Sequence, residues 1–212
     1  MKTIKGTIAW IVIGLTWVTA IVLYDGMPAR MATHWNASGV ADGYAGKVFA
    51  LFLIPAIMLL LQGLFVLIPK IDPLRKNIEA FRSQLEGFAL LLSAFMAYVF
   101  ALTMLWSKGS VFSMTVALMP ALAIMFYGIG SLLKGIKRNW FVGIRTPWTM
   151  SSDVVWDKTH ALGSRLLKLS GVVILAGVAL PQYAIWFMVG PILTSTLVTV
   201  VYSYKVFKKE NK

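Results

Sequence analysis

The residues of this sequence that could do chemistry lie in two polar stretches, Asp25 to Lys47 and Lys134 to Arg165. The first sets His34-Trp35-Asn36 ahead of Asp42-Gly43. An imidazole, an indole and a carboxamide in a row can stack on an external ligand and hydrogen-bond to it, with Asp42 as a further acceptor. The plainer account is an interface aromatic beside a turn-forming histidine, and residue types alone leave both open. A metal is not indicated. Zinc takes three or four ligands at recognisable spacing, and one histidine with Asp25 and Asp42 does not supply them.

The second stretch holds Asn139, Gly143, Arg145, Thr146, Pro147, Trp148, Trp156 and His160, with Trp140, Trp148 and Trp156 falling within 17 residues. A residue before proline is pushed toward extended backbone, so Thr146-Pro147 interrupts any helix continuing from the apolar run before it. Ser151 or Ser152 can cap a new helix, and Asp153 in the first turn suits the helix dipole. From there Trp156, His160, Gly163 and Leu167 recur at three- to four-residue spacing and share a face. Gly163 on that face lets another helix come close. Arg145 is expected to bind a lipid phosphate or to bridge to Asp153 or Asp157. Two accounts stay open: a loop anchored at the headgroup layer by tryptophan and arginine, or a structured cap that recruits a partner or closes a cavity.

Catalytic constellations are missing from the sequence. There is no cysteine, hence no disulfide, thiolate site or cysteine nucleophile. His-Glu-x-x-His, Gly-x-Ser-x-Gly and a phosphate-cradling Gly-Lys-Ser/Thr do not occur. No enzyme, metal or cofactor is expected. Glu86 is the acidic residue nearest a span interior, and Arg82 four residues earlier makes it one half of an ordinary ion pair. Gln62, Thr103, Gln182 and Ser195 add scattered polarity without a continuous path.

The elements that must position these residues are apolar. Hydrophobic residues make up 58% of the 212 and charged residues 13%, against about half and about a quarter in a soluble domain. Several runs reach the ~20 residues that cross a hydrocarbon core. The reading is an all-α, polytopic transmembrane bundle of six spans in one membrane domain over 1–212. The spans fall at about 7–24, 48–68, 85–106, 112–133, 164–180 and 184–204. The first is retained and not cleaved as a signal peptide. Residues 25–47 form an outer loop, 134–165 an inner one, and Lys70 to Gln84 a connection containing a short surface helix. The apolar stretch Leu166 to Tyr204, 39 residues long, divides near Pro181 to Tyr183. The link Ser107 to Val111 is tight enough to make spans three and four antiparallel neighbours. Small residues in Gly128-Ile129-Gly130-Ser131 can pack within one chain or across a dimer.

Charge sets orientation and excludes one class of partner. With the amino terminus in the cytoplasm, inside segments hold seventeen Lys and Arg and outside segments three, Arg30, Lys47 and Lys108. Both termini are therefore expected to be cytoplasmic. The net charge of +12 flanks spans, where it meets anionic membrane lipids, so direct nucleic acid binding is not expected.

The run Asn139-Trp140-Phe141-Val142-Gly143-Ile144-Arg145-Thr146-Pro147-Trp148-Thr149, followed by Ser151, Trp156, Lys158, Thr159, His160 and Gly163, resembles the signature of the SdpI/YfhL family of bacterial and archaeal membrane proteins. Pro28, His34-Trp35-Asn36, Gly39, Asp42-Gly43 and Lys47 resemble the domain of unknown function that usually forms the amino-terminal half of such proteins. Ala32 departs from the pattern, which often has proline there. The resemblance implies a multi-pass cell-membrane protein of six spans that gives immunity to a secreted peptide toxin. It also implies signal transduction, by holding a cytoplasmic repressor at the membrane. The outer loop around His34 to Gly43 would then be the toxin side, and Asn139 to His160 the repressor side. The alternative is a small transporter or lipid-handling protein with Arg145, Trp148 and His160 lining an inner cavity mouth.

Overall fold

A computed structural model describes residues 3–211; Lys2 and Lys212, both counted among the basic residues above, lie outside the described residues. In chain order the elements are α1 (Ile4–Leu23), β1 (Arg30–Trp35), β2 (Ala41–Gly46), α2 (Lys47–Ile71), α3 (Arg75–Ala80), α4 (Arg82–Ser107), α5 (Met114–Leu133), α6 (Pro147–Ser151), α7 (Asp153–Ala176) and α8 (Ala184–Glu210). Two single 3₁₀ turns, Gly177–Ala179 and Pro181–Tyr183, make the corner between α7 and α8 where the division was expected. Helices α1, α2, α4, α5, α7 and α8 are long and apolar enough to cross a membrane, and only 17% to 33% of each span's most apolar window is buried inside the protein. The remaining Leu, Ile and Val point outward, which suits a hydrocarbon solvent and would be untenable in water.

Without a hydrophobic drive between helices in lipid, close packing and interhelical hydrogen bonds hold the bundle. Helices α5 and α7 meet along small residues. A Cβ on Gly130 would lie 2.7 Å from the Ser164 carbonyl oxygen, and one on Gly171 would lie 2.6 Å from that of Ala123. The Ser164 hydroxyl donates to the Gly130 carbonyl at 2.6 Å. Gly130 is thus used inside the chain. Between α7 and α8 the hydroxyls of Ser170 and Ser195 lie 2.8 Å apart, and Ser170 is also close to the Pro191 carbonyl at 3.1 Å.

Two parts of the chain differ from the sequence reading. The outer loop is an antiparallel hairpin, with Arg30 opposite Gly46, Met31 opposite Ala45 and Ala32 opposite Tyr44. Its strands lack apolar alternation and are rich in Ala and Gly, so β propensity could not announce them. A two-stranded hairpin is marginal alone. This one is seated by Met31, buried with Met27 against Ala20, Leu51, Phe100 and Met104, and Ala32 is buried in the same strand. The expected short surface helix exists as α3, but Ile78 and the following Phe81 are buried, packed with Ile68, Leu85, Leu133, Ile136 and Trp156. Helix α7 starts at Asp153 with Ser152 as its cap, as expected, and runs unbroken into the fifth span.

The bundle therefore has two built ends. One carries the hairpin and the α4–α5 link; the other carries both described chain ends, α3 and the segment from Lys134 to α7.

Candidate functional site

At the second end, residues 134–152 form a cap whose loops are satisfied by side chains. Asn139 is fully buried and makes four hydrogen bonds within the first loop. Its Nδ2 donates to the carbonyls of Lys137 and Val142, both at 2.9 Å. Its Oδ1 accepts from the N–H of Phe141 at 2.9 Å and of Val142 at 2.7 Å. All four hydrogen-bonding positions of the carboxamide are used. Asp72, 2% exposed, ties this loop to the end of α2: one carboxylate oxygen accepts from Leu74 N–H at 2.6 Å and the other from Trp140 N–H at 2.9 Å. Asn77 of α3 donates to the Arg138 carbonyl at 2.8 Å.

The chain then turns at Gly143, whose φ of +120° is open to glycine and strained for other residues. The turn delivers the Ile144 N–H to His160 Nε2 at 2.9 Å. Since Nε2 accepts, the ring proton sits on Nδ1 and is donated to the Trp156 carbonyl at 2.8 Å. A neutral, fully committed imidazole results, stacked on the Trp156 ring with centroids 4.0 Å apart. The Trp156 Nε1–H in turn donates to the Ile136 carbonyl at 2.8 Å. Trp156 and His160 share the predicted face of α7, and that face clamps the loop instead of opening to a cavity.

Thr146 ends the segment as the N-cap of α6. Its hydroxyl accepts from Thr149 N–H at 3.1 Å, while Thr149 Oγ1 accepts from Thr146 N–H at 2.8 Å, a reciprocal capping box with Pro147 in the first turn. Thr146 Oγ1 also lies 3.0 Å from Ser203 Oγ on α8, and the Trp148 and Tyr204 rings pack at 5.1 Å between centroids. Ser152 caps α7, accepting from Val155 N–H at 3.3 Å. Its hydroxyl also donates to Glu210 at 3.1 Å, and Lys158 pairs with Glu210 at 3.3 Å. The end of α8 is thereby fastened to the start of α7.

One expected ion pair is corrected. Arg138, not Arg145, meets Asp153, with Nε 2.8 Å from Oδ1, and Arg138 also donates to the Met150 carbonyl at 2.6 Å. Arg145 donates to the Trp140 carbonyl, because the Gly143 turn carries it away from the start of α7. The candidates thus divide into two groups. Asn139, Gly143, Thr146, Trp156 and His160 are framework; Arg145 and Pro147 are exposed and Trp148 half-buried. Trp140, 52% exposed, joins the accessible group. In the sequence it stands beside Asn139 in the signature run, with nothing local to mark it as the exposed member. Asp72, Thr149 and Ser203 are the framework residues that sequence reasoning missed as parts of this assembly. A local motif foretells the Asp72 bond to Leu74, but nothing in sequence foretells its bond to Trp140.

At the hairpin end, His34 Nδ1 lies 2.5 Å from Asp42 Oδ1 across the strands, their side chains 71% and 45% exposed. Asn36 builds the turn, its Oδ1 accepting from Ser38 N–H at 3.0 Å and Val40 N–H at 3.1 Å. Gly39, at φ +78°, sits against the start of α5, where Met114 N–H donates to its carbonyl at 3.2 Å. Trp35 meets Trp106 edge-on at 6.0 Å. The structure brings His34, Asp42, Val40 and Tyr44 to an accessible surface and uses Asn36 and Trp35 to hold the hairpin. The two histidines lie at opposite ends of the bundle and share no site.

Comparison with known proteins follows the same division. Residues 135–203 match the SdpI/YfhL protein family, a stretch that begins with the cap and ends at the Ser203 that anchors Thr146. Residues 11–59 match a domain of unknown function, DUF1648, and include the whole hairpin. Over 211 residues the chain is 26% identical to the immunity protein SdpI of Bacillus subtilis (strain 168), covering 98% of each. No solved structure matches.

Proposed function

We propose that this chain, whose residues 135–203 match the SdpI/YfhL protein family, is a non-enzymatic immunity and signalling protein of the cell membrane. The full-length likeness to a protein named for immunity carries the reading. The hairpin end faces outward, as its three basic residues against the many at the capped end favour. There His34, Asp42, Val40 and Tyr44 meet a secreted amphipathic peptide toxin arriving at the outer leaflet. A mixed charged, imidazole and aromatic surface at the headgroup level suits such a peptide, whose apolar face stays in lipid.

The capped end faces the cytoplasm, with Trp140, Arg145 and Pro147 as the accessible partner surface for a repressor. Exposed tryptophan and arginine are the side chains that most often anchor interfaces. A rigid framework beneath them keeps the ordering cost of binding low.

The test is survival of a sensitive bacterial host expressing the protein and challenged with a panel of secreted amphipathic peptide toxins. Protection is expected, with H34A/D42A removing it at unchanged membrane abundance. W140A/R145A should leave protection intact while releasing the repressor from the membrane fraction. No protection against any peptide would overturn the immunity reading, and protection indifferent to the hairpin substitutions would overturn the assignment of the toxin side.

A further inference from the structure

A cleft opens between α1, α2 and α4 near the capped end. It leaves about 60 Å³ for water-sized occupants and is lined by Gly6, Gln62, Phe65, Leu85, Arg82 and Glu86, among others. Its mouth is charged. Glu86 is already satisfied: one oxygen accepts from the N–H and hydroxyl of Thr3 at 2.7 and 2.6 Å, the other from Arg82 Nε at 3.1 Å. Arg82 uses Nε there, on a side chain 41% exposed, which leaves its two terminal amino groups for a ligand. Lys5, bonded to Ser83 Oγ at 3.1 Å, adds a second cation beside it. The lip is therefore net positive.

Gln62 lies deeper. Its residue is 5% exposed, and its Oε1 is buried with no hydrogen-bond partner. A buried, unpaired carboxamide oxygen is costly and calls for a guest or a turned-over amide. Beyond it, against Ser93 and Met96, the void pinches to nothing a water could enter, so the cleft is a dead end and not a path across the membrane. An occupant needs an anionic group for Arg82, an uncharged hydrogen-bonding group further in, and an apolar body for Phe65 and Leu85. On α4, Ala89 at the inner part of the cleft is three residues past Glu86, a depth of about 4.5 Å.

We propose that this cleft binds one anionic glycerophospholipid of the capped-end leaflet. The phosphate pairs with the free fork of Arg82, an acyl ester carbonyl takes an N–H of the Gln62 carboxamide, which can turn over to present its amino group, and an acyl chain runs along Phe65 and Leu85. Gly6 makes room at the lip, where a Cβ would stand 2.6 Å from Glu86 Oε2. This site is independent of the toxin and repressor surfaces.

The experiment is native mass spectrometry of the purified full-length protein with phosphatidylglycerol or phosphatidylcholine added in detergent, paired with thermal unfolding of the same samples. One phosphatidylglycerol should be retained in preference to phosphatidylcholine and should raise the unfolding temperature. R82Q should weaken retention about tenfold or more, and Q62L, which nearly conserves side-chain volume, about two- to tenfold. R82K, keeping charge without the fork, should fall between wild type and R82Q. Equal retention by wild type, Q62L and R82Q would overturn the proposal. So would a Q62L protein that unfolds at higher temperature without lipid yet retains phosphatidylglycerol unchanged, or inorganic phosphate producing the same stabilisation as the lipid.

Discussion

Gly143→Ala tests the core of the cap. A Cβ there would lie 2.5 Å from His160 Nε2, 3.1 Å from Ile136 Cδ1 and 3.2 Å from Trp156 Cη2. Two costs follow. Alanine at φ +120° is strained by ~1–3 kcal/mol. The imidazole must also retreat, breaking the Ile144 N–H bond and leaving a buried donor and acceptor unpaired, a further ~1–3 kcal/mol. Together these give ~2–6 kcal/mol, which at ~2–4 °C per kcal/mol for a chain of this size lowers the unfolding temperature by ~4–24 °C. Gly135→Ala is the matched control: its φ is +81°, and nothing lies within 4 Å of an added Cβ. It should lose only the left-handed backbone term, ~1–2 kcal/mol. The assay is thermal unfolding of both purified variants in one detergent, with limited trypsin digestion at Lys137, Arg138 and Arg145 reporting on the cap. If G143A unfolds no earlier than G135A and its cap resists trypsin equally, the clamp of His160 on the turn is not what holds this segment.

Asn139→Asp removes two donors and sets a buried charge against the Lys137 and Val142 carbonyls, so membrane abundance should fall sharply and unfolding should come earlier by ~3 kcal/mol or more; expression with a fluorescent fusion measures it. Thr146→Val loses the cap of α6 and the bond to Ser203, a cost of ~1–3 kcal/mol, and the double variant with Ser203→Ala should lose less than the sum of the two, read in a thermal double-mutant cycle. His34→Ala and Asp42→Ala should each change stability by less than ~1 kcal/mol, because the pair is exposed; a larger loss would mean that the pair holds the hairpin together and is not a free binding surface.

Much of the architecture was written locally. The six spans follow from runs of apolar residues long enough for a bilayer, and their approximate ends from the Lys, Arg and turn residues that interrupt them. Ser152 capping α7, the Thr146-Pro147 break, the Arg82 and Glu86 pair at i and i+4, and the common face of Trp156 and His160 all depend on neighbours within one or two helical turns. Such features are legible because the chain's own geometry brings the groups together.

What only the tertiary structure decided depends on residues far apart in sequence. The hairpin exists because Met31 finds Phe100 and Met104, not because its strands carry a β pattern. Asp72 reaches Trp140 across 68 residues, and Ser203 reaches Thr146 across 57. Arg138 rather than Arg145 takes Asp153 because the Gly143 turn sends them in different directions. The same placement divides the signature into a buried framework and an exposed surface of Trp140, Arg145 and Pro147. Sequence determined which side chains were available, since composition and local spacing are properties of the chain; their partners were decided by packing, since a buried polar group must take whichever distant group the fold delivers to it.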